Sequence, residues 1–164
     1  MQPSNDFKKL LIEAFILQLE TDLVAMKESA RANHEAATHE ESKAENEYDT
    51  RGLEAAYLAG AQAKRAGEID EVLALFKTMS FKAFQPKDPV QAGALIAVEV
   101  DGKPSRLLMM PKGGAVRLQF QGENIQIVTP ASSLGEALLG QRAGDTVEFE
   151  VGDQLRECEL IAVE

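Results

Sequence analysis

The 164-residue chain has one cysteine, Cys158, and no tryptophan. A single thiol cannot close an internal disulfide, and it fits a reducing compartment, so a cytoplasmic location is expected. Aromatic residues make up 5% of the chain, too few for the stacking platforms that hold single-stranded nucleic acid. Positive charge is also scarce, with 17 Lys and Arg against 27 Asp and Glu, a net charge of −10. Both halves share the imbalance, with 9 basic and 15 acidic residues up to residue 80 and 8 and 12 after it. A surface of that sign has no basic face with which to displace counterions, which excludes autonomous nucleic-acid binding. No apolar run approaches the roughly 20 residues of a membrane span. The opening MQPSNDFKKL lacks the basic, apolar and small-residue order of a secretory signal.

Catalytic sets are missing too. His34 and His39 stand five apart, off a common helical face, and both lie in the first half, away from Cys158. The run His39-Glu40-Glu41-Ser42-Lys43 puts lysine where a zinc protease needs its second histidine. Lys112-Gly113-Gly114 is a turn without the spacing that cradles phosphates. Cys158, between apolar alternate neighbours, is expected to pack rather than react.

What the chain does have falls into two regimes. Between Asn5 and Met79 there is no proline, and Ala, Leu, Glu, Lys and Gln dominate, a helical composition. Ile12, Ile16, Leu19, Leu23, Met26 and Ala30 alternate in steps of four and three, a heptad seam that continues through Asn33 to Ala37. A second seam runs through Ile69, Val72, Phe76 and Met79, and extends backwards as Ala55, Leu58, Gln62 and Arg65. Two such seams predict an antiparallel helical hairpin over residues 1–80. Between them, His34 to Tyr48 holds Glu35, Glu40, Glu41, Glu45 and Glu47 with hardly any large apolar residue. A stretch with no face to bury is a tip. Residues 35 to 54 carry seven acids against Lys43 and Arg51, so half of the net charge is gathered there. Gly60 and Gly67, costly inside a helix, predict close approach of the two helices.

Pro86 and Pro89 mark a linker over 81–92. From 93 to 164, short β-rich runs alternate with turns: Gly93–Val100, Arg106–Met110, Val116–Phe120, Ile125–Val128, Thr146–Val151 and Leu155–Val163. This spacing predicts an antiparallel sheet. One short helix interrupts it, with Ser133 and Glu136 at capping-box spacing and a stop at Gly140. The fold class is α+β.

The segment Ala131-Ser132-Ser133-Leu134-Gly135-Glu136-Ala137-Leu138-Leu139-Gly140-Gln141-Arg142-Ala143-Gly144-Asp145 resembles the C-terminal signature of the Gre-type transcription elongation factors, roughly S-P-L-G-x-A-L-L-G-x-x-x-G-D. Glu47-Tyr48, Tyr57 and Gly60 match that family's hairpin spacing. The likeness covers nearly the whole chain and implies a coiled-coil hairpin followed by an FKBP-like sheet domain. It further implies an accessory factor rather than an enzyme. Such a factor inserts its hairpin into the secondary channel of bacterial RNA polymerase, where tip carboxylates help hold Mg²⁺ and the polymerase cleaves backtracked RNA. RNA polymerase is then the partner, and the RNA 3′ end is met only inside that complex.

Two departures stand out. Ser133 occupies the family's proline position, and Ala44 occupies the second carboxylate position of a tip pattern G-D-L-x-E-N-A-E-Y. The acidic pair is therefore Glu41 and Glu45, spaced by four, which on a helix still share a face. The resemblance assigns these two to Mg²⁺ and to assisting cleavage. Asn46, Tyr48, Arg51, Ser132, Ser133 and Leu134 fall to contacts with the polymerase. The basic patch that guides RNA in the family is reduced to Lys64 and Arg65. A non-catalytic occupant of the same channel, which adjusts or inhibits transcription without cleavage, is the alternative. A prolyl isomerase or chaperone would follow from the fold only, and fold does not carry function.

Overall fold

The computed structural model describes residues 3–38 and 50–164. Its elements, in order, are α1 (Pro3–Thr38), α2 (Arg51–Thr78), β1 (Leu95–Val100), β2 (Lys103–Met109), β3 (Arg117–Phe120), β4 (Glu123–Val128), α3 (Ser133–Leu138), β5 (Thr146–Val151) and β6 (Gln154–Val163). The predicted hairpin, six strands and short helix are all present. The chain divides into two compact units, one of residues 16–75 and one of residues 1–15 with 76–164.

In the unit of residues 16–75, the two helices run antiparallel. Leu19, Leu23, Val72 and Leu73 are buried along the seam. Further along, the seam becomes small and polar. Ala59 and Ala66 are buried, while Asn33 Nδ2 donates to Gln62 Oε1 at 2.6 Å and to the Ser29 carbonyl at 3.0 Å. Gln62 Nε2 donates in turn to Ser29 Oγ at 2.9 Å. A polar clasp within a coiled-coil seam fixes register at some cost in stability. The seam of α2 runs through Ala59, Gln62, Ala66 and Ile69. Leu58, expected on it, is 48% exposed, and Arg65 is exposed as well. Alanine carries too little apolar weight to reveal its phase in the sequence. The pattern therefore puts Leu58 and Arg65 where Ala59 and Ala66 stand, while Gln62, Ile69 and Val72 lie on the seam as expected. Gly60 and Gly67 are exposed, and a Cβ at either would meet nothing within 4 Å. Close helix approach therefore belongs to Ala59 and Ala66, not to the glycines.

The second unit is built on one six-stranded sheet of order β3-β4-β2-β1-β6-β5. All neighbours are antiparallel except β2 and β4, which pair in parallel with Leu108 opposite Ile127. The sequence pattern predicts only antiparallel pairing. The β3–β4 hairpin, turned at Gln121 (φ 49°) and Gly122 (φ 84°), sets β4 rather than β3 beside β2. Alternation along a strand reports its faces and not its partner, so this pairing has no local signal.

Each face of the sheet has its own cover. One carries Ile96, Val98, Leu107, Met109, Cys158 and Leu160, packed with Leu138 of α3 and with Phe84 and Val90 of the proline-marked segment. Cys158 is fully buried, and desolvation lifts its thiol to about 11, so it packs and does not react. The other face carries Leu95, Leu108, Ile125 and Ile127, all fully buried. Phe7 of α1 meets Phe120 edge-on at 5.3 Å and lies 4.8 Å beneath the Arg106 guanidinium. Arg106 also bonds Glu123 at 3.0 Å and Glu164 at 2.9 Å. Leu11 and Phe15, outside the expected seam, are fully buried, and Phe15 stacks on Phe76, which stacks on Phe81.

Lys8 is 2% exposed. Its ammonium donates to the main-chain oxygens of Lys82 and Glu164, both at 2.8 Å, and sits 4.6 Å from the centre of the Phe84 ring. Burial lowers its pKa from 10.5 to about 8; the Glu164 charge opposes that shift and Lys82 adds to it. Among the described residues, no helix is long and apolar enough to cross a membrane.

Candidate functional site

The residues proposed for chemistry at the tip, Glu41 and Glu45, lie outside the described residues, as do Asn46 and Tyr48. Arg51 opens α2. Next to it, Thr50 is placed like a cap, with its main-chain oxygen accepting from Glu54 N at 2.9 Å and its hydroxyl 3.0 Å from Glu54 Oε1. The sheet-unit residues can be followed atom by atom.

The signature segment begins as α3 leaves β4. Ser132 is the N-cap, in extended conformation, and its hydroxyl accepts from Gly135 N at 3.1 Å while donating to the Thr129 carbonyl at 2.9 Å. The sequence places the cap at Ser133, paired with Glu136. The observed cap is one residue earlier, because Ser132 can bond both ways across the turn from Thr129. That turn is tight. A Cβ on Gly135 would fall 1.9 Å from the Thr129 carbonyl oxygen, a main-chain atom that cannot swing aside, so only glycine fits.

The rest of the segment is anchored. Leu138 is fully buried in the core. Gly140, with φ at 80°, donates to the Val90 carbonyl, and Val90 N donates back to that of Gln141. Gly144, with φ at 94°, donates to the Leu160 carbonyl, and Leu160 N donates to that of Asp145. Asp145 Oδ2 accepts from Arg142 N at 2.7 Å and closes the last turn. The signature thus has two jobs. Gly135, Leu138, Gly140, Gly144 and Asp145 hold the segment to the sheet. Ser133 and Leu134 are left at the surface, the first exposed and the second partly so.

Ser132, Ser133 and Leu134 line one wall of a cleft of about 470 Å³. Thr129, Ala115, Phe149 and Val151 line other parts of it. Ala115 holds a left-handed φ of 73°, which costs a non-glycine residue on the order of 1 kcal/mol. Val151 is 51% exposed. The lining is mainly apolar, with hydroxyls at its edge, and carries neither a histidine nor a lysine. Glu150 adds one carboxylate to the lining, and a mainly apolar cleft of this kind can seat a protein side chain. The structure therefore brings the three predicted contact residues of the sheet unit together. Sequence reasoning missed Ala115 and Phe149 as their neighbours, since the cleft joins strands distant in the chain. Among the described residues no group of three or more His, Cys, Asp or Glu side chains is placed to hold a metal ion.

No protein-family model matches the chain. It is 26% identical, over 137 residues, to the transcription elongation factor GreA of Thermomicrobium roseum, covering 84% of this chain and 81% of that one. Solved structures similar to it include GreA factor homolog 1 of Thermus thermophilus, at 20% identity, with 92% of this chain and 95% of that one covered and a TM-score of 0.37. Another is the GreA/GreB factor of Nitrosomonas europaea, at 20% identity over 58% of this chain and 78% of that one, with a TM-score of 0.35. These superpositions are loose, and the likeness that counts is the one in sequence. In sequence, and in the signature whose local geometry is described above, the chain is thus similar to the transcription elongation factor GreA.

Proposed function

We propose that the chain is an accessory factor of bacterial RNA polymerase that enters the secondary channel with its hairpin and assists Mg-dependent cleavage of backtracked RNA or rescue of paused complexes. The observation that carries this reading is the GreA likeness over 84% of the chain. The acidic sequence between two antiparallel helices supports it. Glu41 and Glu45 would hold the Mg²⁺ that the polymerase also holds, since carboxylate oxygens are hard ligands suited to that ion. Bound there, Mg²⁺ supplies charge neutralisation at the scissile phosphodiester. Asn46, Tyr48 and Arg51 would touch the channel, and Ser132, Ser133 and Leu134 would seat a polymerase side chain at the cleft. The RNA 3′ end is met only within the complex, which suits a chain whose own charge repels free nucleic acid.

A second reading rests on Ala44. With the second carboxylate displaced to Glu45 and the basic patch reduced to Lys64 and Arg65, the chain would occupy the channel and modulate transcription without promoting cleavage. One experiment separates the two. The protein is added to a stalled, backtracked elongation complex with Mg²⁺, and the 3′ RNA fragments are resolved. Fragments that disappear with Glu41→Ala or Glu45→Ala support cleavage. Binding without fragments leaves the modulator, and absence of binding rejects both.

A further inference from the structure

The face of the sheet covered by the first turns of α1 is covered only in part. Towards β1, β6 and β5 it is open. Over β1, β2 and the start of β4 it holds a hollow of about 640 Å³, lined by Ala97, Glu99, Arg106 and Glu123 among others, with Ile161 of β6 at its side. The hollow has a structural cause. Register between β1 and β6 shifts between Ala97 and Val98, so that Ala97 pairs with Ala162 while Val98 pairs with Leu160, leaving Ile161 as the extra residue of a bulge. A bulge re-aims the side chain it displaces. Leu160 and Val163 on either side are buried in the core, whereas Ile161 stands 50% exposed at the rim of the hollow.

The same face carries a charge arrangement that folding alone disfavours. Glu99 on β1 lies directly opposite Glu159 on β6, and Glu157 on β6 lies directly opposite Glu148 on β5. All four are exposed, and none pairs with a cation among the described residues. Like charges directly opposite across strands are destabilising. Two such pairs on three adjacent strands, beside an apolar side chain pushed outward, form a surface that lacks its complement.

We infer that this open face of β1, β6 and β5 is a second docking surface, distinct from the Ser132–Leu134 cleft, for a Lys- and Arg-bearing protein patch with an apolar side chain that covers Ile161. Charge selects this occupant. A second copy of the chain would bring its own net charge of −10 against the four glutamates, and a nucleic acid would bring its phosphates. A basic protein patch relieves both repulsive pairs at once and gains the apolar contact. Resting on the reading above, the patch belongs to the polymerase, so the factor would be held at two places on the sheet unit.

The test is equilibrium binding of the full chain to RNA polymerase at low and high salt. The combined variant Glu148→Gln, Glu157→Gln, Glu159→Gln is expected to bind about tenfold more weakly at low salt and with a flatter salt dependence. Its melting temperature should be equal to or above the parent's, because repulsion is removed. Ile161→Ser should weaken binding with the salt dependence kept. A combined variant that binds as the parent does at both salts would overturn the inference and leave the glutamates as a solubilising face, the Gre-type reading standing. A parent chain that does not bind the polymerase at all would fail that reading, and this inference with it.

Discussion

Glycine means opposite things in the two units. In the hairpin, Gly60 and Gly67 touch nothing, and the helices are joined through side chains: Leu19 and Leu23 at one end, a Ser29-Asn33-Gln62 clasp and two alanines towards the other. In the sheet unit, Gly135 is wedged against the Thr129 carbonyl, and Gly140 and Gly144 hold positive φ angles while donating to the backbone of other elements. The hairpin is specified by a repeating pattern that tolerates local change. The signature segment is specified by backbone fit at single positions. A helical hairpin and a surface cleft make different demands. The first needs length and register, and the second needs a fixed wall.

The same substitution in both units should expose this contrast. Gly135→Ala places a methyl group inside the contact distance of a main-chain oxygen. It should destabilise the protein by about 3 kcal/mol or more, at the upper end of overpacking costs. Denaturant melts would register this as a lower midpoint, and an unchanged midpoint would mean the Thr129 turn yields freely. The expected loss would also disturb the cleft wall that Ser133 and Leu134 form.

Lys8 offers an intermediate effect with a pH signature. Its folded pKa, about 8, lies below the unfolded value near 10.5. Between those values the unfolded chain binds the proton more tightly, so this group adds stability as pH rises from about 8 to about 10.5. Below 8 the desolvation cost of the charged ammonium is fully present. Lys8→Met should remove that slope, so the parent gains on the variant through this window. Chemical denaturation of both proteins at pH 7.5 and 10 (about these values, chosen to bracket the window) measures it. A constant difference would mean that Lys8 is not held in its buried place.

The smallest effect has the opposite sign to the first. Gly67→Ala should stabilise the hairpin by about 1 kcal/mol, the helix-propensity gain, because a methyl group there meets open space. A loss would show that the exposed surface of α2 at that position is in contact after all.

Several parts of the fold were legible because their signals are local and large. Heptad spacing from Ile12 to Ala30 gave α1, and alternation bounded by turns gave all six strands. The turn at Asp101 and Gly102, both with positive φ, follows from the residue types alone. Where apolar bulk was small or misleading, the reading slipped. Leu58 outweighed Ala59 in the pattern, and the aromatic contact of Phe15, Phe76 and Phe81 does not fall on a simple heptad. The candidate contact residues Ser132, Ser133 and Leu134 were found through the signature motif, but their cleft partners Ala115 and Phe149 were not. Those come from different strands, and no spacing in the sequence links them.

The sequence by itself determined the two-regime layout, the acidic composition between the two helical seams, and the likeness to the Gre-type factors. Each rests on periodicity, composition or a contiguous motif, properties that a chain carries before it folds. Only the tertiary structure decided that β2 and β4 run parallel, that Gly135 admits no side chain, and that Lys8 is buried against Phe84. It alone brought Glu99 opposite Glu159 and Glu148 opposite Glu157. These depend on which strands become neighbours and in what register, which is set when distant apolar faces find one another, and no local stretch of sequence encodes it.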